Sequence, residues 1–223
     1  QHFWTGARRG GHGYRRGTTG SMAPSSTGEL TLGSRLKLIF GFLVLLWTIE
    51  IVDTVLLGSS LQHYGLQPRS LDGLVGILTM PFLHGGWDHL ASNTFPLAIF
   101  GTLVLLRGLE RFLVVSAIII VVSGTTVWLV ARSSIHIGAS GLIFGYLGYL
   151  MSIGFWERKL GPVLLSLAIG FLYGGMLWGV LPGQPGVSWE GHLFGFLAGV
   201  LSARQVATPN ERARTRVPAP SKR

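Results

Sequence analysis

The sequence predicts an all-α, polytopic membrane protein with six transmembrane helices and disordered termini. Hydrophobic residues make up 48% of the 223 residues and charged residues only 12%, about half the charged share of an ordinary soluble domain. Two uncharged apolar runs, residues 112–130 and 160–181, are each long enough for a helix across a bilayer core, which takes about 20 residues. Lys and Arg lie at the chain ends and in short gaps between apolar segments. The net charge of +9 therefore indicates membrane topology, and no nucleic-acid partner is expected.

Composition sets the expected domain boundaries. Residues 1–33 are rich in Gly, Arg, Ser and Thr and predict a disordered, basic cytosolic leader. Residues 205–223 are polar and basic and predict a disordered cytosolic tail, which leaves residues 34–204 as the membrane domain. The six expected spans, in chain order, are residues 36–57, 89–106, 112–130, 140–156, 160–181 and 191–203.

Charge distribution predicts the orientation of these spans. With six spans both termini lie on one side, and that side receives every Lys and Arg except Arg69 and Arg132. Short loops rich in Lys and Arg stay cytoplasmic, so both termini are expected inside, where they can also contact anionic headgroups of the bilayer. The compact core favours a bacterial plasma membrane. The chain has no Cys, which excludes disulfides and a Cys nucleophile.

Polar residues gather at the start of the three even-numbered spans. Span 2 follows His84 and carries His89 and Asn93, span 4 begins at Ser140, and His192 lies at the start of span 6. Such residues are costly at membrane depth, so they are functional candidates. At about 1.5 Å rise per residue, Asn93, Ser140 and His192 lie about 21, 25 and 18 Å above the first cytoplasmic charge of their spans. The three side chains are therefore expected at one level in the outer half of the membrane.

These residue types suit nucleophilic catalysis. A serine hydroxyl is a poor nucleophile until a base takes its proton, and His192 is the natural base for Ser140. Unpaired N–H groups at the start of a helix, with side-chain donors from Asn93 and His89, can bind an oxyanion. No Asp or Glu is placed to orient His192, so a dyad is expected.

Two pairs of glycines predict how spans 4 and 6 pack. Gly141 and Gly145 follow Ser140, while Gly195 and Gly199 follow His192, each pair in small-xxx-small spacing. Such pairs allow membrane helices to approach backbone to backbone, which would bring the serine and the histidine together.

The combination of Gly138-Ala139-Ser140-Gly141, His84-x4-His89-x3-Asn93 and His192-x2-Gly195-x3-Gly199 resembles the rhomboid intramembrane serine proteases over roughly residues 36–203. The resemblance implies an intramembrane serine endopeptidase whose partners are transmembrane protein substrates. Ser140 would be the nucleophile and His192 its general base. The oxyanion hole would comprise Asn93, His89 and the backbone N–H of Ser140, with His84 in a supporting role.

Two departures from the family pattern concern the surroundings of the site. Phe144 takes the place where many members have a Tyr stacked on the catalytic His, so no hydroxyl is available there. The first outer loop lacks the Trp-Arg pair of some members and offers Pro68-Arg69 instead. Span 5 and this loop would border the lateral entry for substrate.

Other interpretations remain open. The main alternative is a catalytically inactive rhomboid-like protein that binds client transmembrane helices. A metal site from His84, His89 and His192 and a small transporter are weaker alternatives, and no metal or other cofactor is expected. Glu50 and Asp53 are expected at the outer interface of span 1. His63 and His136 are expected to be loop residues.

Overall fold

The computed structural model describes His2 and residues 30–207, and most of this part of the chain is helical. The leader and the tail predicted to be disordered lie almost entirely outside the described residues. Where they overlap, residues 32–33 and 205–206 belong to helices, so the helical part extends slightly beyond the expected membrane domain. In order, the α-helices are α1 Leu32–Leu56, α2 Gly76–Thr79, α3 Trp87–Leu105, α4 Leu109–Val130, α5 Ser140–Glu157, α6 Leu160–Tyr173 and α7 Trp189–Val206.

Each expected span corresponds to one of the longer helices. The largest difference concerns the apolar run 160–181, which was expected to be one helix. Helix α6 ends at Tyr173, and a 3-10 helix, Gly174–Val180, completes the run. Two consecutive glycines, Gly174 and Gly175, stand at the change, and glycine is a poor helix former.

Within residues 30–207, three helical segments are long and apolar enough to cross a membrane: Leu32–Leu56, Leu109–Val130 and Leu160–Val180. Their outer faces carry large exposed apolar side chains such as Phe40 and Phe171, the latter 89% exposed. Apolar faces of this kind suit contact with lipid tails. Helices α5 and α7 instead meet through glycines, since Gly148, Gly195 and Gly199 each lie against the backbone of the other helix.

Helix α5 lies at the centre, and most of its residues are buried. Its two fully buried tyrosines have their hydroxyls paired: the Tyr146 hydroxyl lies 2.6 Å from that of Ser116, and Tyr149 accepts a hydrogen bond from Arg107 at 3.0 Å. Buried polar groups are tolerated when they are hydrogen-bonded in this way. The central helix can therefore be rich in Gly and Tyr and still pack as core.

An ion-pair cluster closes the end of α5 opposite Ser140. The buried Glu157 carboxylate accepts hydrogen bonds from Arg107 at 2.6 Å and from Arg111 at 2.7 Å. The two arginines flank the connection between α3 and α4. The cluster thus ties three helices together far from the candidate catalytic residues.

The long first loop folds onto the ends of α1 and α4. Arg69 donates hydrogen bonds to the carbonyls of Leu129 and Ala131, the latter at 2.7 Å, and so anchors the loop to the end of α4. Asp53 accepts the backbone N–H of Leu61 at 2.8 Å. Asp53 and Glu50 are buried, 3% and 2% exposed. Both carboxyl groups therefore lie inside the protein near the C-terminal end of α1, and their expected position at the outer interface remains a prediction.

Candidate active site

A cavity of about 880 Å³ lies between the beginnings of α3, α5 and α7 and the two loops that precede α5 and α7. Four of the predicted site residues line it: Ser140, His192, His89 and Asn93. His84 is 1% exposed and lies behind this wall. The structure thus brings together four residues that are separated by up to 103 positions in the sequence.

Ser140 is the first residue of α5, and the turn before it is tightly built. Gly138 has φ 114°, which favours glycine. A Cβ at Gly138 would lie 2.7 Å from Nε2 of His89 and 3.7 Å from the Ser140 hydroxyl oxygen. Only glycine therefore fits between the His89 ring and the serine. The first N–H groups of a helix have no acceptor within it, so the Ser140 N–H is suited to bind an oxyanion.

The ring of His192 is held by a backbone carbonyl. Its Nδ1 lies 2.8 Å from the carbonyl oxygen of Gly179, which can only accept. Nδ1 therefore carries the hydrogen, and in the neutral ring Nε2 has a free lone pair for accepting a proton. The Phe144 ring, one turn after Ser140, stacks on His192 with centroids 4.1 Å apart and an angle of 7°. Carbonyl and stacking together fix the orientation of the imidazole.

Ser140 and His192 face the same cavity, but no hydrogen bond joins them within residues 30–207 of the structure. Catalytic hydrogen bonds are often long in a free enzyme and tighten when substrate binds. The predicted pairing of the two side chains therefore remains a prediction.

His89 and Asn93 lie one turn apart on α3. Gly85 donates its N–H to Nδ1 of His89 at 3.3 Å, so in the neutral ring the hydrogen is on Nε2, the atom nearest Gly138. Asn93 donates from Nδ2 to the carbonyl of His89 at 2.7 Å. This nitrogen carries two hydrogens, and one remains for another acceptor. Both residues can therefore donate to a group bound in the cavity.

His84 binds the backbone N–H of the residue before Ser140. Its Nε2 accepts the N–H of Ala139 at 3.3 Å, and its ring meets that of His89 edge to face at 5.2 Å. The N–H of Gly138 is bound as well, by the carbonyl of Met80 at 2.9 Å. Two consecutive peptides before Ser140 are thus held from outside the helix. His84 supports the turn and does not reach the cavity.

Backbone contact between α5 and α7 occurs at the glycine pairs. A Cβ at Gly195 would collide with the carbonyl oxygen of Gly141, and one at Gly199 with that of Gly145. Gly148, also in α5, meets the backbone of Phe196 in the same way. The helices that carry Ser140 and His192 therefore touch without side chains between them.

The sequence does not predict the backbone groups that hold the candidate site residues in place. The carbonyls of Gly179 and Met80 carry no signal in the sequence, because every residue has one. His136 was expected to be a loop residue; it does lie in a loop, but it is 1% exposed and lines the cavity. Within the described residues, no group of three or more His, Cys, Asp or Glu is arranged to hold a metal ion.

Comparison with known proteins gives consistent matches. The family model of the Rhomboid domain matches residues 72–208. An uncharacterized protein of Mycobacterium tuberculosis is 43% identical over 185 residues, which cover 79% of this chain and 77% of that protein. Rhomboid-like protease 5 of Toxoplasma gondii is 34% identical over 148 residues, covering 64% of this chain and 16% of that protein. A putative rhomboid protease of Bacillus subtilis is 29% identical over 128 residues, which cover 56% of this chain and 63% of that protein.

Proposed function

The chain belongs to the rhomboid family of integral membrane proteins, and from this premise we propose that it is a serine endopeptidase that cleaves transmembrane segments of other membrane proteins. The observation that carries the proposal is the shared cavity wall of Ser140 and His192, with the Nδ1 hydrogen of His192 held by Gly179. This arrangement supports a role for Nε2 as the base for Ser140.

The reaction would proceed in two balanced steps. The Ser140 hydroxyl oxygen attacks the substrate carbonyl while Nε2 of His192 takes its proton, and the protonated His192 then gives that proton to the leaving amine. The acyl-enzyme ester is hydrolysed by a water molecule activated in the same way. The oxyanion formed in each step would accept hydrogen bonds from the Ser140 N–H, Nε2 of His89 and Nδ2 of Asn93.

A substrate helix must open before it can react. In a helix each peptide carbonyl accepts the N–H four residues later, so it is shielded from attack. A client segment with Gly or Pro near the cleavage site would unwind at lower cost. We therefore propose transmembrane helices with such residues as the substrate class.

The proposal includes six spans with both termini in the cytoplasm. Besides the three helical segments long and apolar enough to span, α3, α5 and α7 are 19, 18 and 18 residues long, or about 27 Å or more. Because the chain has no Cys, single cysteines can map the topology. In intact cells an impermeant maleimide should label Gln184→Cys and leave Lys159→Cys unlabelled. The reverse pattern would contradict the orientation.

The activity is tested with purified protein in liposomes, a fluorophosphonate probe and a transmembrane substrate with a Gly-rich helix. Ser140→Ala should lose labelling and cleavage together, and His192→Ala should lose cleavage. Ser152→Ala is the matched control, because Ser152 lies on the same helix as Ser140 but away from the cavity, and its hydroxyl bonds to the Gly148 carbonyl of that helix. It should label and cleave like the wild type. Cleavage that survives in Ser140→Ala would refute the proposed nucleophile.

The alternative is a rhomboid-like protein that binds client helices without cutting them. Absence of labelling and of cleavage in folded wild-type protein, together with retention of the helical substrate, would favour this alternative. The backbone-held tautomer of His192 favours catalysis, since a binding protein does not need a base.

A further inference from the structure

A second serine–histidine contact lies on the wall of the same cavity. His136, in the loop between α4 and α5, is buried, and its Nδ1 lies 2.6 Å from the hydroxyl oxygen of Ser188. Ser188 precedes α7 as its N-cap residue. Both residues line the cavity. The mechanism proposed for Ser140 and His192 does not use either of them.

The neighbouring backbone groups fix the direction of this hydrogen bond. Ser188 accepts the N–H of Gly191 at 3.1 Å. Nε2 of His136 lies 3.3 Å from the Ser134 hydroxyl, which can donate or accept, and 3.2 Å from the carbonyl oxygen of Arg132, which can only accept. The carbonyl therefore places the hydrogen on Nε2. Nδ1 of the neutral ring is then an acceptor, and the Ser188 hydroxyl donates to it. The series of hydrogen bonds that runs from the Gly191 N–H through Ser188 and His136 to the Arg132 carbonyl therefore has all its donors pointing in one direction. Each bond in such a hydrogen-bond chain strengthens the next.

Each residue of this pair lies four positions before one of the proposed catalytic residues, His136 before Ser140 and Ser188 before His192. The backbone of His136 is held in place by Leu66 of the first loop, to which it forms two hydrogen bonds of 3.0 and 2.9 Å. The carbonyl of Ser188 accepts the N–H of His192 at 3.1 Å. The His136–Ser188 bond therefore spans from the segment that carries the serine to the helical turn that carries the histidine.

A second link runs beside the first. Arg132 donates its backbone N–H to the Glu190 carboxylate at 3.3 Å, and its guanidinium contacts the same carboxylate at 3.6 Å and the carbonyl of Val187. The Arg132 side chain is about half exposed, so solvent screens this pair. The His136–Ser188 bond is partly buried and carries no net charge, so it is the better candidate for fixing the distance between the two segments.

We propose that His136 is a positioning residue, which through Ser188 holds the loop before Ser140 at a fixed distance from the start of α7. The inference rests on the proposed function and goes beyond it. His136 does not touch the reacting atoms. Its neutral ring, with the hydrogen on Nε2, keeps Ser140 and His192 in reach of one another, so that loss of this bond lowers kcat more than it raises KM.

Burial keeps His136 in the neutral form that the bond needs. Burial lowers the pKa of His136, and Arg132 lowers it further, while the Arg132 carbonyl and Glu190 act in the opposite direction. Protonation would place a hydrogen on Nδ1, opposite the hydroxyl hydrogen of Ser188. The hydroxyl would have to turn away, and the polarised chain would be interrupted.

Steady-state kinetics on a transmembrane substrate in liposomes tests the inference. His136→Ala and Ser188→Ala should each lower kcat by about 10- to 100-fold, as expected when a catalytic group is displaced by about 1 Å, with a smaller change in KM. Ser188→Thr keeps a hydroxyl and should restore most of kcat. His63→Ala is the matched control, since His63 is an exposed loop histidine whose ring bonds to its own loop and does not line the cavity. It should leave kcat unchanged.

A double variant and a pH profile separate positioning from a general structural role. His136→Ala combined with Ser188→Ala should lower kcat about as much as either change alone, because both remove the same bond. If the fold-loss of kcat in the double variant equalled the product of the losses in the two single variants, the proposal would be overturned. Ser188→Asp keeps an acceptor for the Gly191 N–H but cannot donate to neutral His136. It should favour protonated His136, so its kcat should fall at alkaline pH, where the wild type stays active; an unchanged pH profile would overturn the proposal.

The outcomes also distinguish this inference from the proposed function. Wild-type protein that neither labels with fluorophosphonate nor cleaves would refute the proposed function. Active wild type with a fully active, folded His136→Ala variant would refute only the positioning role. If His136→Ala does not fold, the comparison of Ser188→Thr with Ser188→Asp still decides the question.

Discussion

Replacing Gly199 by alanine should separate the two helices that carry the candidate catalytic residues. A Cβ at this position would collide with the carbonyl oxygen of Gly145 and lie 2.7 Å from its carbonyl carbon and 2.9 Å from the N of Tyr149. These are backbone atoms, which cannot turn aside as a side chain would. To restore ordinary contact at 3.4–4 Å, α7 must move away from α5 by roughly 1.5–2 Å at this position.

The expected cost follows from this displacement. Overpacking of a tight core costs about 1–3 kcal/mol or more, whereas the change from Gly to Ala in a helix otherwise gains about 1 kcal/mol. A loss of stability in Gly199→Ala, in place of the usual gain, would therefore show that the added Cβ collides with the backbone of α5. The net cost is then up to about 2 kcal/mol, and at about 2–4 °C per kcal/mol for a chain of this size the melting midpoint of Gly199→Ala should fall by up to about 8 °C. Displacement of His192 relative to Ser140 by about 1 Å should also lower cleavage about 100-fold.

Thermal unfolding in detergent, followed through the fluorescence of the seven Trp residues, measures the first effect, and substrate cleavage the second. Gly41→Ala is the matched control, because Gly41 lies in α1 with no atom within 4 Å of a Cβ there. It should be neutral or slightly stabilising. If Gly199→Ala melted and cleaved like Gly41→Ala, the reasoning that α5 and α7 touch through their backbones would be refuted.

Three further predictions concern other parts of the molecule. Asn93→Ala should lower the cleavage rate about 10²–10³-fold if Asn93 donates to the oxyanion, and an unchanged rate would remove that role. Glu157→Gln removes the charge that accepts from Arg107 and Arg111; it should lower the unfolding free energy by about 1.5–3 kcal/mol while kcat per folded molecule stays the same. Because the folded-state pKa of His136 is lowered from 6.5, its contribution to stability is present above that pH and lost as the pH falls below it. The melting midpoint of the wild type should therefore fall more steeply in acid than that of His136→Gln, and parallel curves would contradict this.

Much of the helical framework could be predicted because long apolar runs with few charges allow little else. The helix ends were predicted within a few residues, except where the apolar run 160–181 changes from α6 to a 3-10 helix at Gly174. Hydropathy does not detect that change, since the residues after it are as apolar as those before it. The fold of the first loop over Asp53 and Glu50 could not be predicted either. It depends on contacts such as that of Arg69 with the end of α4, which join distant parts of the chain.

The candidate site residues were easier to find than the groups that hold them. Ser140, His192 and Asn93 stand out because polar side chains are rare in apolar segments. His136 and Ser188 lie in polar loops, where such residues are common, and only the structure shows that they meet. Sequence patterns therefore pointed to the residues with proposed chemical roles and not to those that position them.

The three histidines near Ser140 have different protonation patterns because each meets a different backbone group. His84 accepts an N–H through Nε2, His89 accepts one through Nδ1, and His192 donates from Nδ1 to a carbonyl. Only His192 is left with a free lone pair on the nitrogen not bound to the backbone, so it alone is set up as a base. A neutral carbonyl stabilises the imidazolium less than the carboxylate of a triad would. The proposed catalysis would then depend more strongly on the oxyanion donors and on the fixed distance between α5 and α7, which are the features that the Asn93, Gly199 and His136 variants test.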